Sequence, residues 1–136
     1  MYHWPLDRWL AGWMLQFLAI AAAATADAAG LLMIDKVGDR IHFADPISGE
    51  IRASLETPRA PHEVAISPDR RRAYVTIYGP GIYGSNPNPD HRVLVVDLLT
   101  QQVVDTIDVS PHVAPHGVVF DAAGKLYVTC DASRRL

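Results

Sequence analysis

The sequence predicts an all-β fold of repeated four-stranded antiparallel sheets, and three observations carry that expectation. The segment Ala60-Pro61-His62-Glu63-Val64-Ala65-Ile66 returns as Ala114-Pro115-His116-Gly117-Val118-Val119-Phe120, 54 residues later. The apolar residues come in short β-branched runs such as Val93-Leu94-Val95-Val96. The 10 prolines and 9 glycines punctuate those runs instead of pooling in a linker, which argues for a packed chain over a disordered one.

The first element stands apart from the repeats. Within the 136 residues, Trp9 to Ala24 is apolar except for Gln16, too short for a comfortable membrane span of about 20 residues but suited to the apolar core of a signal peptide. Ala26-Asp27-Ala28 offers the small residues a signal peptidase needs, so residues 1–28 read as a signal peptide cleaved after Ala28. The mature protein is then periplasmic or secreted, with no stable membrane anchor. The basic region before the apolar run is weak, Arg8 standing beside Asp7, and an uncleaved anchor is the alternative. Of 12 Lys+Arg and 15 Asp+Glu, the leader takes Arg8, Asp7 and Asp27, which leaves a mature net charge of about −2 and nothing built to neutralise phosphates. Cys130 is the lone cysteine, so no intrachain disulfide can form, and it reads as a small buried side chain.

In the mature part, residues 29–136, strands follow from the repeat. The first type covers His62 to Ser67 and His116 to Asp121; the second covers Ala73 to Tyr78 and Leu126 to Cys130, with Leu31 to Ile34 as a further copy. The third covers Ile41 to Asp45 and Val93 to Asp97, and the fourth Glu50 to Glu56 and Val103 to Asp108, joined by turns at Pro46-Ile47-Ser48-Gly49 and Leu98-Leu99-Thr100-Gln101. Val93 to Val96 is apolar on both sides, as expected when sheets stack face against face. Radially stacked four-stranded sheets make a β-propeller; a sandwich or barrel of short antiparallel strands is the alternative. The expected division is an incomplete first blade over residues 29–56, a complete blade over 60–108 and an incomplete third over 114–136, about two to two and a half blades in all.

Pro61-His62-Glu63-Val64, Ser67-Pro68-Asp69 and Tyr74-Val75-Thr76, with Pro115-His116-Gly117-Val118 and Tyr127-Val128-Thr129, resemble the repeats of YVTN-type β-propellers. The resemblance implies the fold and is weak for function, since such propellers serve as binding scaffolds, lactone hydrolases and partners of periplasmic redox systems. Glu63 departs from the family's usual glycine, Cys130 from its frequent asparagine, and the connection after Tyr78 is much expanded. Propellers close with 4 to 8 blades. The chain therefore reads as an N-terminal fragment needing further blades, or as a subunit of a homo-oligomeric ring.

Because consecutive strands are antiparallel, alternate connections fall on one rim. That rim receives Arg59 to His62, the long loop from Gly79 to His91, and Ser110 to His116; His42 also begins there. The ligand-binding candidates are His62, Glu63, Tyr78, Tyr83, His91, His112 and His116. His62 and His116, equivalent in successive repeats, should be neighbours at the mouth of a central channel. Imidazoles there can bind a divalent metal, donate to an anion or act as a base. They can equally bond backbone and fix the loop. No cofactor is predicted, and a divalent metal at His62 and His116 lacks the spacing of known metal motifs. The long loop reads as a recognition element carrying Tyr78 and Tyr83, or as a tolerated surface insertion. Arg70-Arg71-Arg72 has no aromatic platform and lies in a turn on the other rim, so nucleic acid is not an expected partner. The expected function is a binding scaffold for a small molecule or a periplasmic protein. A metal-assisted lactone hydrolase using His62, Glu63 and His116, and a redox-associated propeller, are the alternatives. No nucleophile elbow, phosphate loop or paired-cysteine motif marks an enzyme.

Overall fold

The computed structural model describes residues 30–133, and the expected signal peptide lies outside the described residues. Among the described residues, nine strands form three antiparallel sheets. β1 (Leu31–Asp35), β2 (Arg40–Ala44) and β3 (Ile51–Glu56) make the first. The second contains β4 (Pro61–Ile66), β5 (Arg72–Ile77), β6 (Arg92–Asp97) and β7 (Gln102–Asp108). The third pairs β8 (Pro115–Phe120) with β9 (Leu126–Cys130) and is followed by a 3-10 turn, Asp131–Ser133. The strands lie within a residue of those expected from the repeat, and the described residues contain no α-helix.

Two local devices recur because the sequence repeats them. Where β2 and β6 end, Asp45 Oδ1 accepts the Ile47 and Ser48 N–H groups at 2.8 and 2.9 Å, and Asp97 Oδ1 accepts those of Leu99 and Thr100 at 3.0 and 2.8 Å. A carboxylate that bonds the backbone two and three residues on mimics a turn, which is why aspartate closes both strands. These N–H groups hold both carboxyls below the ordinary aspartate value. Where β4 and β8 begin, the pairing register slips between Pro61 and Val64, and again between Pro115 and Val118. The bulge detaches one N–H, which a threonine hydroxyl of the neighbouring strand recovers: Thr76 Oγ1 accepts Glu63 N–H at 3.0 Å, and Thr129 Oγ1 accepts Gly117 N–H at 2.8 Å.

The core fills the space between the first two sheets with Ile41, Phe43, Ala73, Val75, Ile77, Leu94 and Val96. β6 is buried on both faces from Val93 to Val96, as its unbroken apolar run predicts, whereas β7 is almost wholly exposed. Tyr74 meets Phe120 edge to face at 5.1 Å across the second and third sheets. β1 contacts β4, and β4 contacts β8, so the leading strands stand side by side. Thr76 ties two of these sheets directly, its hydroxyl donating to the His116 carbonyl at 2.8 Å.

Candidate functional site

The corner that opens each later sheet has one construction. Ala60 and Ala114 hold left-handed φ values of 57° and 56°, unusual for a residue with a Cβ, so the chain turns sharply into the Pro-His pair. The Ala60 carbonyl accepts the Tyr78 N–H at 3.0 Å, and the Ala114 carbonyl accepts that of Asp131 at 3.1 Å. The turn is thus pinned to the residue directly after β5 or β9. Lys36 occupies the same rank, directly after β1. Successive sheets therefore present Lys36, Tyr78 and Asp131 at one end, with His62 and His116 beside them.

These side chains meet. The His62 and His116 rings lie 4.0 Å apart between centroids, and Tyr78 stands 5.2 Å from the first and 5.8 Å from the second. Lys36 Nζ sits 4.9 Å above the Tyr78 ring, a cation–π distance. His116 turns Nδ1 to Glu63 Oε1 at 3.4 Å and Nε2 to Asp131 Oδ2 at 4.0 Å. Tyr78 is 2% exposed, and burial, reinforced by the charge and hydrogen bond of Asp131, raises its phenol above the ordinary value. Burial lowers His62, and the neighbouring His116 and Lys36 add to the effect, so a neutral imidazole is favoured there. His62 Nδ1 and Asp131 Oδ2 are buried with no hydrogen-bond partner among the described residues. Such groups normally find partners in protein, ordered water or a bound group.

Gly117 is required by its own strand pairing: a Cβ at that position would lie 2.9 Å from Thr129 Oγ1, the hydroxyl that accepts its N–H, while Glu63 Oε2 would be in ordinary contact at 3.8 Å. The third sheet thus has no acid where the second has Glu63.

The long loop is folded back onto this end. Asn86 Nδ2 and the Asp90 N–H both donate to the Tyr78 carbonyl, at 2.8 and 3.2 Å, and Ile82 and Ser85 form a small bridge at the tip. Gly79 has φ +86°, and a Cβ there would strike Asn88 O at 2.6 Å, so only glycine permits the return.

Of the residues singled out from the sequence, His62, Glu63, Tyr78 and His116 come together. Tyr83 is 81% exposed at the loop tip, where it is a minor contributor to the raised Tyr78 value. His91 is exposed and offers its backbone carbonyl to Val109, while half-buried His112 donates its N–H to the Val109 carbonyl. Neither ring joins the cluster. His42 is occupied elsewhere, with Nδ1 2.7 Å from Ser54 Oγ and Nε2 3.6 Å from Asp35. Lys36 and Asp131 were not singled out, although the repeat carried the signal, since each follows a strand of the rank that Tyr78 follows. At the opposite end Ser67, Asp69, Arg71, Arg72, Tyr74 and Phe120 line a shallow groove of about 500 Å³. Its arginines are exposed.

No family model matches the sequence, and no curated protein matches it. Among solved structures the chain is similar to Kuenenia stuttgartiensis hydrazine synthase, with 24% identity, a TM-score of 0.61, and 76% of this chain and 26% of that chain covered. It is also similar to the dihydro-heme d1 dehydrogenase NirN in complex with DHE, with 17% identity, a TM-score of 0.57, and 74% and 19% covered. Both are propeller-type proteins, and the likeness shows the fold alone. The chain spans about a quarter of the one and a fifth of the other.

Proposed function

We propose that the three sheets are consecutive blades of an exported β-propeller of the YVTN type, and that its loop-bearing rim binds a small ligand. The observation that carries this reading is the cluster itself. Lys36, His62, Glu63, Tyr78, His116 and Asp131 converge from three sheets on one end, with two buried polar atoms unsatisfied. A rigid scaffold that gathers donors, acceptors and one flat phenol ring suits a small polar molecule carrying an anionic group, with Lys36 as its counter-charge.

A thermal-shift screen of small carboxylates and phosphates tests the reading. Ligands that raise the melting temperature of the wild-type protein are expected to fail with Lys36→Met and with His62→Ala. Ligands that stabilise these variants and the wild type alike would refute the assignment. The Gly79–His91 loop, pinned to Tyr78, forms one wall in this reading; replacing it with a short turn should weaken the same ligands.

A second reading, a propeller associated with a redox system, rests on the resemblance to YVTN-type repeats, whose propellers include partners of periplasmic redox systems. It expects oxidoreductase genes beside the gene for this chain, and their absence there counts against it.

A further inference from the structure

We propose that His62, Glu63 and His116 hold one divalent transition metal ion, of zinc-like chemistry, where the second and third sheets meet. The inference rests on the rim reading above and names what the rim cluster binds first.

One donor atom from each of the three side chains lies within 4.8 Å of the other two. In a tetrahedral site with metal–ligand bonds of about 2.0–2.1 Å, donor atoms stand roughly 3.4 Å apart. His116 Nδ1 and Glu63 Oε1 already stand at 3.4 Å. His62 supplies the third donor within 4.8 Å, and its Nδ1 is buried without a hydrogen-bond partner. Two imidazole nitrogens and one carboxylate oxygen suit zinc, cobalt or nickel; calcium and magnesium require oxygen donors in larger number.

The surroundings fit the same role. Asp131 lies 4.0 Å from the far nitrogen of His116, the place from which a carboxylate orients a metal-bound histidine. The Thr76 hydroxyl joins the backbone of Glu63 to that of His116, so the separation of the donors is set by sheet packing and not by a loop. Three protein donors leave a tetrahedral ion one position for water or for an anionic group of the rim ligand. Lys36 and Tyr78 face the same cluster.

The test uses protein carrying no polyhistidine tag, stripped with a chelator and titrated with Co²⁺, read by visible absorption and by metal content. Uptake of one Co²⁺ per chain, displaced by Zn²⁺, is expected. His62→Gln and His116→Gln should abolish uptake, and Glu63→Gln should weaken it by about tenfold or more. Glu63→Gln preserves shape at a half-exposed position, so its melting temperature without metal should match the wild type. Absence of stoichiometric uptake by the wild-type protein overturns the inference, as does uptake unchanged in Glu63→Gln and His62→Gln. If the protein takes up no metal but still binds the rim ligands, the metal inference falls and the rim reading stands; if neither metal nor ligand binds, both fall.

Discussion

The corner at Pro61–Val64 and the corner at Pro115–Val118 share a backbone and differ in what they carry. Both enter through a left-handed alanine, both slip register after proline, and both return the freed N–H to a threonine hydroxyl. The first then places Glu63 beside its histidine and Tyr78 behind it; the second places Gly117 and Asp131 at the same ranks. What recurs is the part that satisfies the backbone, and what varies is the part that points at the cluster. The repeat thus behaves as a frame in which side chains can be exchanged without disturbing the turn.

Substitutions made in matched pairs can break or sharpen that contrast. The largest difference is expected between Ile77, fully buried in the core, and its counterpart Cys130. Ile77→Ala should cost about 2–5 kcal/mol, and Cys130→Ala about 1 kcal/mol, measured by urea denaturation. Equal costs would mean that the second and third sheets are packed alike. Thr76→Val orphans both the Glu63 N–H and the His116 carbonyl and should cost about 2–4 kcal/mol; Thr129→Val orphans the Gly117 N–H alone and should cost about half that. Hydrogen exchange at Glu63 and Gly117 would confirm which amide is released.

Gly117→Ala should cost about 1–3 kcal/mol by pressing on Thr129 Oγ1, while Glu63→Gly, which makes the first corner resemble the second, should be close to neutral for stability. The pair separates the structural residue from the one free to serve the cluster.

The smallest expected effect is on acid stability. The Ala60 N–H is held by the Asp39 carboxylate at 2.7 Å, whereas the Ala114 N–H is held by the Asp90 backbone carbonyl at 2.8 Å. That leaves the Asp90 carboxylate for the Arg92 side chain, with Oδ1 2.8 Å from Nε, and for the backbone of His91 and Arg92. Burial, the largest single influence, acts to raise the Asp90 value, but the Arg92 side-chain hydrogen bond, the His91 and Arg92 N–H groups and the Arg92 charge together outweigh it, and the carboxyl is held below its ordinary 3.8. A depressed folded value means that the stabilisation is complete above 3.8 and is lost as pH falls through the folded value. Urea midpoints of the wild type should therefore decline below about pH 4 more steeply than those of Asp90→Asn.

Much of the architecture was legible in the sequence because the repeat is a statement about backbone. The strands, the Asp45 and Asp97 turns and the buried run of β6 follow from local patterns that short windows display. Four members of the cluster were legible for the same reason, His62 and His116 by equivalence and Glu63 and Tyr78 by adjacency. Tyr83, His91 and His112 share the rim in sequence terms, but rim position does not specify side-chain direction, and their own loops spend them on solvent or backbone. Lys36 and Asp131 are hidden by chemistry: a lysine, a tyrosine and an aspartate look unrelated until the strand preceding each is numbered.

Thr76 has one more consequence. Its single hydroxyl accepts from the bulge of one sheet and donates to the bulge of the next. The two histidines are therefore gauged against each other by one short bolt, and any breathing of the sheets moves them as a pair. Their spacing is thus inherited from the seam between two sheets, a backbone junction, and not from the loops that decorate the rim.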